Sequence, residues 1–550
     1  MNKSIFILFQ TFLIVCSNKN LNIFRCASNK LKIEPLQLNF TENEGKRRLA
    51  KEYSTIKFIV DYSSFSKPPS MSDDIYNKIK NSIEDTVLEF QKFLKVQHTD
   101  IDLTGQEESI KKACNINSIG INYPTYLKDN DIILFPTFNS NLDSKEASAS
   151  RLCLTHGSTP RPTAGVLQIN PNINFNMANT DTFLKKIFFH EITHILVFDV
   201  KLLRQLGMLT TKNSKTYITS PIVLSKIKRH FNCSSFAGMP LESQEINGVS
   251  YDDHWDARYM LGDYMIPTFY PDLVISEITL ALFEDTKYYK VDYYTGGLFK
   301  FGKNKGCDFI NKDCIINKEP LSEEFCNSFE TPICTTTRIT KAHCIINDYI
   351  NYNITIPIQN RYFENQNHGG HFFADFCPVP DTSNSDSDYY PNNCRYGKSD
   401  LPSAYGEVMS DTSFCFISSL TPPSFQYNVS MRSMCYKVEC HKDTKQIVVH
   451  VGETTFICPT DGGITSGNGY KGILTCPKYY DICDTETNQL CNDMFDCLNK
   501  KIEASDDSYA MDSNISFDRY IPKVSARNIK TNFSVFLVLL LIYFSKLINF

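Results

Sequence analysis

The stretch HEITHILVFD, running from His190 to Asp199, decides how this chain is read. On a helix, two imidazoles four residues apart lie on the same face, and the intervening Glu191 stands where it could act on a metal-bound water. Working outward, TDTFLKKIFFHEITHILVF is apolar nearly all round, with Phe183, Leu184, Ile187, Phe188, Ile195 and Leu196, so the helix is expected to be buried, with Asn179 to Asp181 as its cap. Burying two imidazoles and a carboxylate is costly unless they are paired or bound to metal, and a zinc ion held by both rings removes that cost. Catalytic zinc takes three protein ligands and keeps one position for water. Six residues beyond the second histidine stands Val200, so the third ligand lies farther on: His254 in YDDHWDARYMLGDYMIP, or His368 and His371 in NHGGHFF.

Upstream, KFIVDYSSF reads as a strand. MSDDIYNKIKNSIEDTVLEFQKFLKV reads as an amphipathic helix capped near Ser72 or Asp73, with Ile75, Ile79, Ile83, Val87 and Phe90 on one face. DIILFPTF and AGVLQINPNI follow as strands, the second stopped by Pro171. The fold class is α+β: a twisted sheet plus the buried helix, followed by a disulfide-rich, loop-rich C-terminal domain. The expected divisions are a signal peptide (1–19), a pro-segment (20–50), an N-terminal catalytic subdomain with the zinc helix (51–200) and a central subdomain (201–306). A cysteine-rich domain (307–500), a linker (501–532) and a hydrophobic anchor signal (533–550) complete the chain.

With 550 residues, 42% of them hydrophobic and 21% charged, the chain can bury a large core. A net charge of -5 without a Lys/Arg stripe excludes a nucleic-acid footprint, and no nucleotide partner is expected. MNKSIFILFQTFLIVCSNKN has the layout of a cleaved secretory leader. The 20 cysteines then point to an oxidising compartment, with the eighteen from Cys114 to Cys497 forming nine bridges and Cys26 left unpaired. Sequons at Asn39, Asn232, Asn353, Asn428, Asn514 and Asn532 are glycan acceptors there. Lys46, Arg47 and Arg48 end the pro-segment as a processing site or a solvated charge run. TNFSVFLVLLLIYFSKLINF closes the chain; its short apolar run suits a glycolipid-anchor signal, with Ser525 and Ala526 as the attachment site, or a single transmembrane helix. Either puts the protein on the outer face of a membrane.

HEITH, then HWDAR, then the methionine of LGDYMIP resemble leishmanolysin, the metzincin-type zinc protease of protozoan cell surfaces, whose third histidine is displaced by about sixty residues; here the offset is 254 minus 194. RPTAGVLQINP, ITLALFEDTKYYKVDY with NKGCDFI, FADFCPV and GYKGILTCPKYYDIC follow in the family's order, and the eighteen cysteines match its nine-bridge framework. The resemblance implies a cell-surface zinc endopeptidase acting on protein or peptide substrates, with one catalytic Zn2+ held by His190, His194 and His254. Glu191 becomes the general base and Met265 the methionine of the turn beneath the site. His368 and His371 become loop or packing residues, and Trp255 and Arg258 supports of the third ligand's loop. Asp256 is open between steadying a ligand and a surface salt bridge. The strand AGVLQIN is expected at the sheet edge, pairing with an extended substrate, with an ordinary core strand as the alternative.

Two departures carry weight. Metzincins place glycine three residues after the second histidine, at a turn favouring positive φ, whereas this chain has Val197. The family silences its zinc with a pro-segment cysteine flanked by histidine; here the candidate switch is Cys26 in FRCASN, its alternatives a further bridge or no chemical role. Val197 and the large cysteine-rich region keep a second class of function open, a catalytically impaired surface adhesion protein.

Overall fold

A computed structural model describes residues 25–37, 52–98, 105–120, 130–381 (apart from 158, 174, 176–179, 271, 294–298 and 330), 392–395, and 405–483 (apart from 426–428 and 442). The leader, the basic cluster at 46–48, the cap at Asn179, the linker, the anchor and four of the sequons, Asn39, Asn428, Asn514 and Asn532, lie outside these residues. No helix among the described residues is long and apolar enough to cross a membrane.

The site rests on a five-stranded mixed sheet. In spatial order its strands are β1 (Leu36–Gln37), β4 (Ser148–Thr155), β5 (Pro162–Ile169), β3 (Ile132–Phe138) and β2 (Phe58–Val60). β2, β3 and β5 run parallel, whereas β4 is antiparallel to β5. Every residue of β5 is buried, because it is hydrogen-bonded on both sides and covered on both faces. The expectation that AGVLQIN forms the free edge is therefore corrected. The outward strand is β4, whose single contact with a further strand is the two-residue pairing of Leu154 and Thr155 with β1. Chain order does not give spatial order, and a strand covered on both faces reads the same whether or not its edge is paired.

Helix α1 (Asp73–Phe93) begins where expected: Ser72 accepts a hydrogen bond from the Ile75 amide, and Ile79, Ile83, Val87 and Phe90 are buried. Between α1 and β3 lies α2 (Glu107–Cys114), tied to β4 by the Cys114–Cys153 disulfide. α1 packs on α3 (Thr180–Leu196), with Phe90 and Phe189 stacked at 4.2 Å between ring centroids. α3 in turn lies under the sheet, so close that a Cβ on Gly165 would stand 2.4 Å from Ile195 Cγ2. That strand needs glycine to let the helix in.

α3 ends without a left-handed residue. The amides of Val197 and Phe198 both reach back to the Thr193 carbonyl at 2.9 Å, and Asp199 then caps α4 (Val200–Gln205) by accepting from the Leu202 amide. Val197 is not among the residues with positive φ and is fully buried. A β-branched side chain fits because the turn that follows the second histidine is built differently from a glycine turn.

The cysteine-rich region is more regular than its sequence pattern indicated. Its six-stranded antiparallel sheet runs β9 (Thr454–Cys458), β8 (Gln446–Val451), β7 (Arg432–His441), β6 (Ser413–Ser418), β11 (Leu474–Cys476), β10 (Gly463–Thr465). It encloses a core of its own around Phe416, Tyr436, Val449 and Phe456. Eight disulfides join sixteen of the eighteen cysteines; Cys491 and Cys497 lie outside the described residues.

Candidate metal centre

α3 puts His190 and His194 on one face, and the antiparallel bridge between Leu241 and Trp255 delivers His254 opposite them. The three Nε2 atoms form a triangle: 3.0 Å from His194 to His190, 3.2 Å from His190 to His254 and 3.2 Å from His194 to His254. A tetrahedral ion with N ligands at about 2.0–2.1 Å holds them about 3.3 Å apart.

Each ring's other nitrogen is committed to a backbone carbonyl. His190 Nδ1 donates to Tyr264 O at 2.6 Å, His194 Nδ1 to Phe198 O at 2.8 Å and His254 Nδ1 to Tyr251 O at 3.0 Å. A carbonyl only accepts, so each Nδ1 carries a proton and each ring turns its Nε2 inward. Burial and the neighbouring imidazoles hold His190 well below the ordinary histidine range, and burial brings His194 down to about 3. Three Nε2 atoms turned toward one another at this distance form a donor set that a cation at their centre satisfies.

Cys26, the free thiol among the described cysteines, supplies a fourth donor, its Sγ 3.5 Å from His194 Nε2. The four donor atoms lie within 4.8 Å of one another, and all four residues are buried. Among the described residues, no other group of histidine, cysteine and acidic side chains is arranged to hold a metal. His368 and His371 stand apart from this cluster, His371 buried beside Phe373.

Glu191 lies beside the cluster in a clasp of hydroxyls that sequence reading missed. Ser148 Oγ donates to its Oε1 at 2.6 Å and Ser28 Oγ to its Oε2 at 2.9 Å, while the Cys26 thiol reaches Oε1 at 3.4 Å. Ser150 Oγ donates to the Glu191 backbone carbonyl at 2.7 Å. Burial raises the carboxyl's pKa, and these donors oppose the rise. Serines carry no spacing signal, so nothing in the sequence marked them.

Asp253, rather than Asp256, is the carboxylate beside the third histidine: its Oδ1 is 2.9 Å from His254 Nδ1 and its Oδ2 3.5 Å from Arg151 Nη1. Burial acts to raise this carboxyl, but His254 and His194 outweigh it and hold it well below the usual range. Asp256 instead caps the short helix Ala257–Met260 by accepting from the Arg258 amide. The run DDHWD offered three candidates, and only the chain's path around His254 separates them.

Beneath the site, the Trp255 amide donates to Met265 O at 3.0 Å, and the indole donates to Thr279 Oγ1 at 2.7 Å. Asp263 accepts from the Met265 amide at 2.7 Å and from Thr279 Oγ1 at 2.8 Å. Arg258 donates to Phe309 O and Lys312 O and stacks on Phe325. Trp255 and Arg258 thus brace the loop that carries His254, and Met265 is fully buried in it.

The segment bearing Cys26 lies along the outer edge of β4. The Ala27 amide donates to Ser148 O at 3.1 Å, and the Ser150 amide donates to Ser28 Oγ at 3.0 Å. Arg25 pairs with Asp143, and Lys30 with Glu146, each at 2.5 Å.

Residues 82–489 match the leishmanolysin peptidase family. The chain is 25% identical over 397 residues to the ciliated left-right organizer metallopeptidase of Danio rerio, covering 67% of this chain and 58% of that one. It is 25% identical over 342 residues to leishmanolysin of Leishmania tropica, covering 58% and 50%. A leishmanolysin-like peptidase of Drosophila melanogaster is 26% identical over 320 residues, covering 49% and 44%. The chain spans about half the length of the curated relatives it matches. With its family match covering most of its length and a Cys/His cluster suited to the metal on which that family depends, the chain belongs to the leishmanolysin family of zinc-dependent metallopeptidases.

Proposed function

We propose that this chain is a zinc-dependent endopeptidase, synthesised with its N-terminal segment folded over its own active site. The observation that carries the reading is the Nε2 triangle of His190, His194 and His254 with the Glu191 carboxylate alongside. Zinc in that triangle supplies a Lewis acid that polarises a peptide carbonyl and lowers the pKa of water towards about 7. The chain's own residues do the rest. Cys26 Sγ, 3.5 Å from His194 Nε2 and 3.4 Å from Glu191 Oε1, marks the place a water takes once the segment leaves, within reach of both metal and base. Glu191 accepts the proton as that water attacks the scissile carbonyl and returns it to the departing amine. Its raised pKa suits both halves of that exchange. Ser148 fixes one carboxylate oxygen throughout, and Met265 forms part of the floor beneath the ligands. β4, uncovered by departure of residues 25–31, offers its backbone edge to an extended peptide.

The same reading places the protein in the secretory pathway, with 1–19 as leader and 533–550 as membrane-anchor signal. The eight disulfides support an oxidising compartment. Release of surface protein by a phosphatidylinositol-specific phospholipase identifies a glycolipid anchor; retention with an intact C-terminal peptide identifies a transmembrane helix.

The deciding experiment measures casein hydrolysis by processed protein with and without 1,10-phenanthroline, and by the Glu191→Ala variant. Hydrolysis should vanish with the chelator, return with zinc and be lost in the variant. Absent or chelator-insensitive hydrolysis overturns the reading and leaves a surface adhesion protein in its place.

A further inference from the structure

Asn29, three residues beyond the thiol at the metal centre, has its side-chain amide read on both halves. Arg151 Nη2 donates to its Oδ1 at 3.1 Å, and its Nδ2 donates to Ser250 O at 2.8 Å and to Asp252 Oδ1 at 3.1 Å. These partners come from two separate walls. Arg151 stands on β4, Ser250 ends the hairpin Glu245–Ser250, and Asp252 lies just beyond it.

The arrangement does not depend on Asn29 for its shape. Arg151 Nη1 is held at 3.0 Å by Asp199 Oδ2 and at 3.5 Å by Asp253 Oδ2, so its second amino group is aimed by the fold. Ser250 O is fixed by the hairpin backbone, and the Asp252 amide donates to Ser250 Oγ at 3.3 Å. A donor and a carbonyl held by the fold, with the Asp252 carboxylate beside them, are the complement of a primary carboxamide, which carries one acceptor and two donors on a planar group. A carboxylate in the same place satisfies Arg151 but turns oxygens toward Ser250 O and Asp252. An ammonium or guanidinium satisfies those two and meets Arg151 with like charge.

We infer that Arg151, Ser250 O and Asp252 form a carboxamide-selective subsite of the substrate groove, filled in the latent chain by Asn29 and, after residues 25–31 leave, by an asparagine or glutamine of the substrate. The inference rests on the peptidase reading and adds a substrate class to it. A site built to hydrogen-bond a polar group rejects analogues that leave its partners unpaired. This one is partly exposed, so the discrimination expected is about 10- to 100-fold rather than the larger factors of dry pockets.

Two measurements test it. In the intact chain, the rate at which iodoacetamide alkylates Cys26, read by peptide mass spectrometry, reports how firmly the segment is seated. Asn29→Asp and Asn29→Lys should each raise that rate about 10-fold, and Asn29→Gln by less; equal rates in all four proteins overturn the carboxamide assignment whatever the enzyme's activity. With processed enzyme, a fluorogenic peptide series walks Asn, Gln, Asp, Lys or Ala through three positions on each side of the scissile bond. One position should favour Asn or Gln over Asp and Lys by at least about 10-fold in kcat/KM, and Asp252→Ala should bring that ratio towards one. A flat profile with active cleavage overturns the subsite and leaves the peptidase reading standing. Failure to cleave any peptide overturns the peptidase reading, and the substrate half of this inference with it.

Discussion

Ser28 Oγ lies 2.9 Å from Glu191 Oε2, so the segment that brings the Cys26 thiol to the histidine cluster also holds the Glu191 carboxylate from two residues further on. On the proposed reading, latency has two chemical parts. Cys26→Ala in the intact, unprocessed chain should raise peptide hydrolysis at least 10-fold, because in the proposed scheme the sulfur at the metal position is the stronger block. Ser28→Ala should raise it by less, as removal of one hydrogen bond to a charged group is worth about 1.5–3 kcal/mol at most. The combined variant should exceed either. Hydrolysis by Cys26→Ala that stays at the wild-type level sinks the two-part scheme.

Asp253 couples His254 to Arg151 and hence to the cleft wall. Asp253→Asn keeps the size and loses the charge, and zinc affinity should fall about 10- to 100-fold, as is usual when a ligand's outer partner is removed. Competition with a fluorescent chelator measures it; an unchanged affinity shows that the Tyr251 carbonyl alone orients the ring.

Replacing Val197 by glycine, the residue metzincins place there, should not raise peptide hydrolysis. Val197 is buried, at an ordinary φ, and Val197→Gly leaves a cavity and frees the backbone. A loss of about 2–4 kcal/mol in stability, read by urea unfolding, is expected with no gain in kcat/KM. A more active variant of equal stability contradicts the description of this helix end.

Burial raises the Asp263 carboxyl from 3.8 to about 6. Between those values the native state keeps the proton that the unfolded chain has released, so this group favours folding at the acid end. Its contribution is lost as pH rises through about 6. The difference in unfolding free energy between wild type and Asp263→Asn, at matched zinc content, should therefore shift by about 2–3 kcal/mol against the wild type from pH 4 to 7. A pH-independent difference removes the assignment.

The elements that repeat at helical spacing were readable from the residues alone: α1 from Ser72 and its apolar face, and α3 from the pattern surrounding HEITH. The third histidine was not fixed by spacing, since a separation of sixty residues imposes no local geometry; it needed the resemblance. What escaped was spatial neighbourhood. Strand β5 looked like an edge because its sequence is silent about which strands lie beside it. Asp256 and Asp253 differ only by the direction the chain takes around His254. The six-stranded sheet was hidden by short strands interrupted by cysteines.

Cys153 sits where the pairing of β4 with β5 breaks register, between Leu152 and Leu154, and its disulfide rivets that irregular strand to the end of α2. A cross-link closing a loop of this length restricts the unfolded chain by about 3–4 kcal/mol in entropic terms. Its local effect is more telling. The rail along which residues 25–28 lie is bolted from behind, so on the proposed reading their departure leaves the strand in place for the next guest.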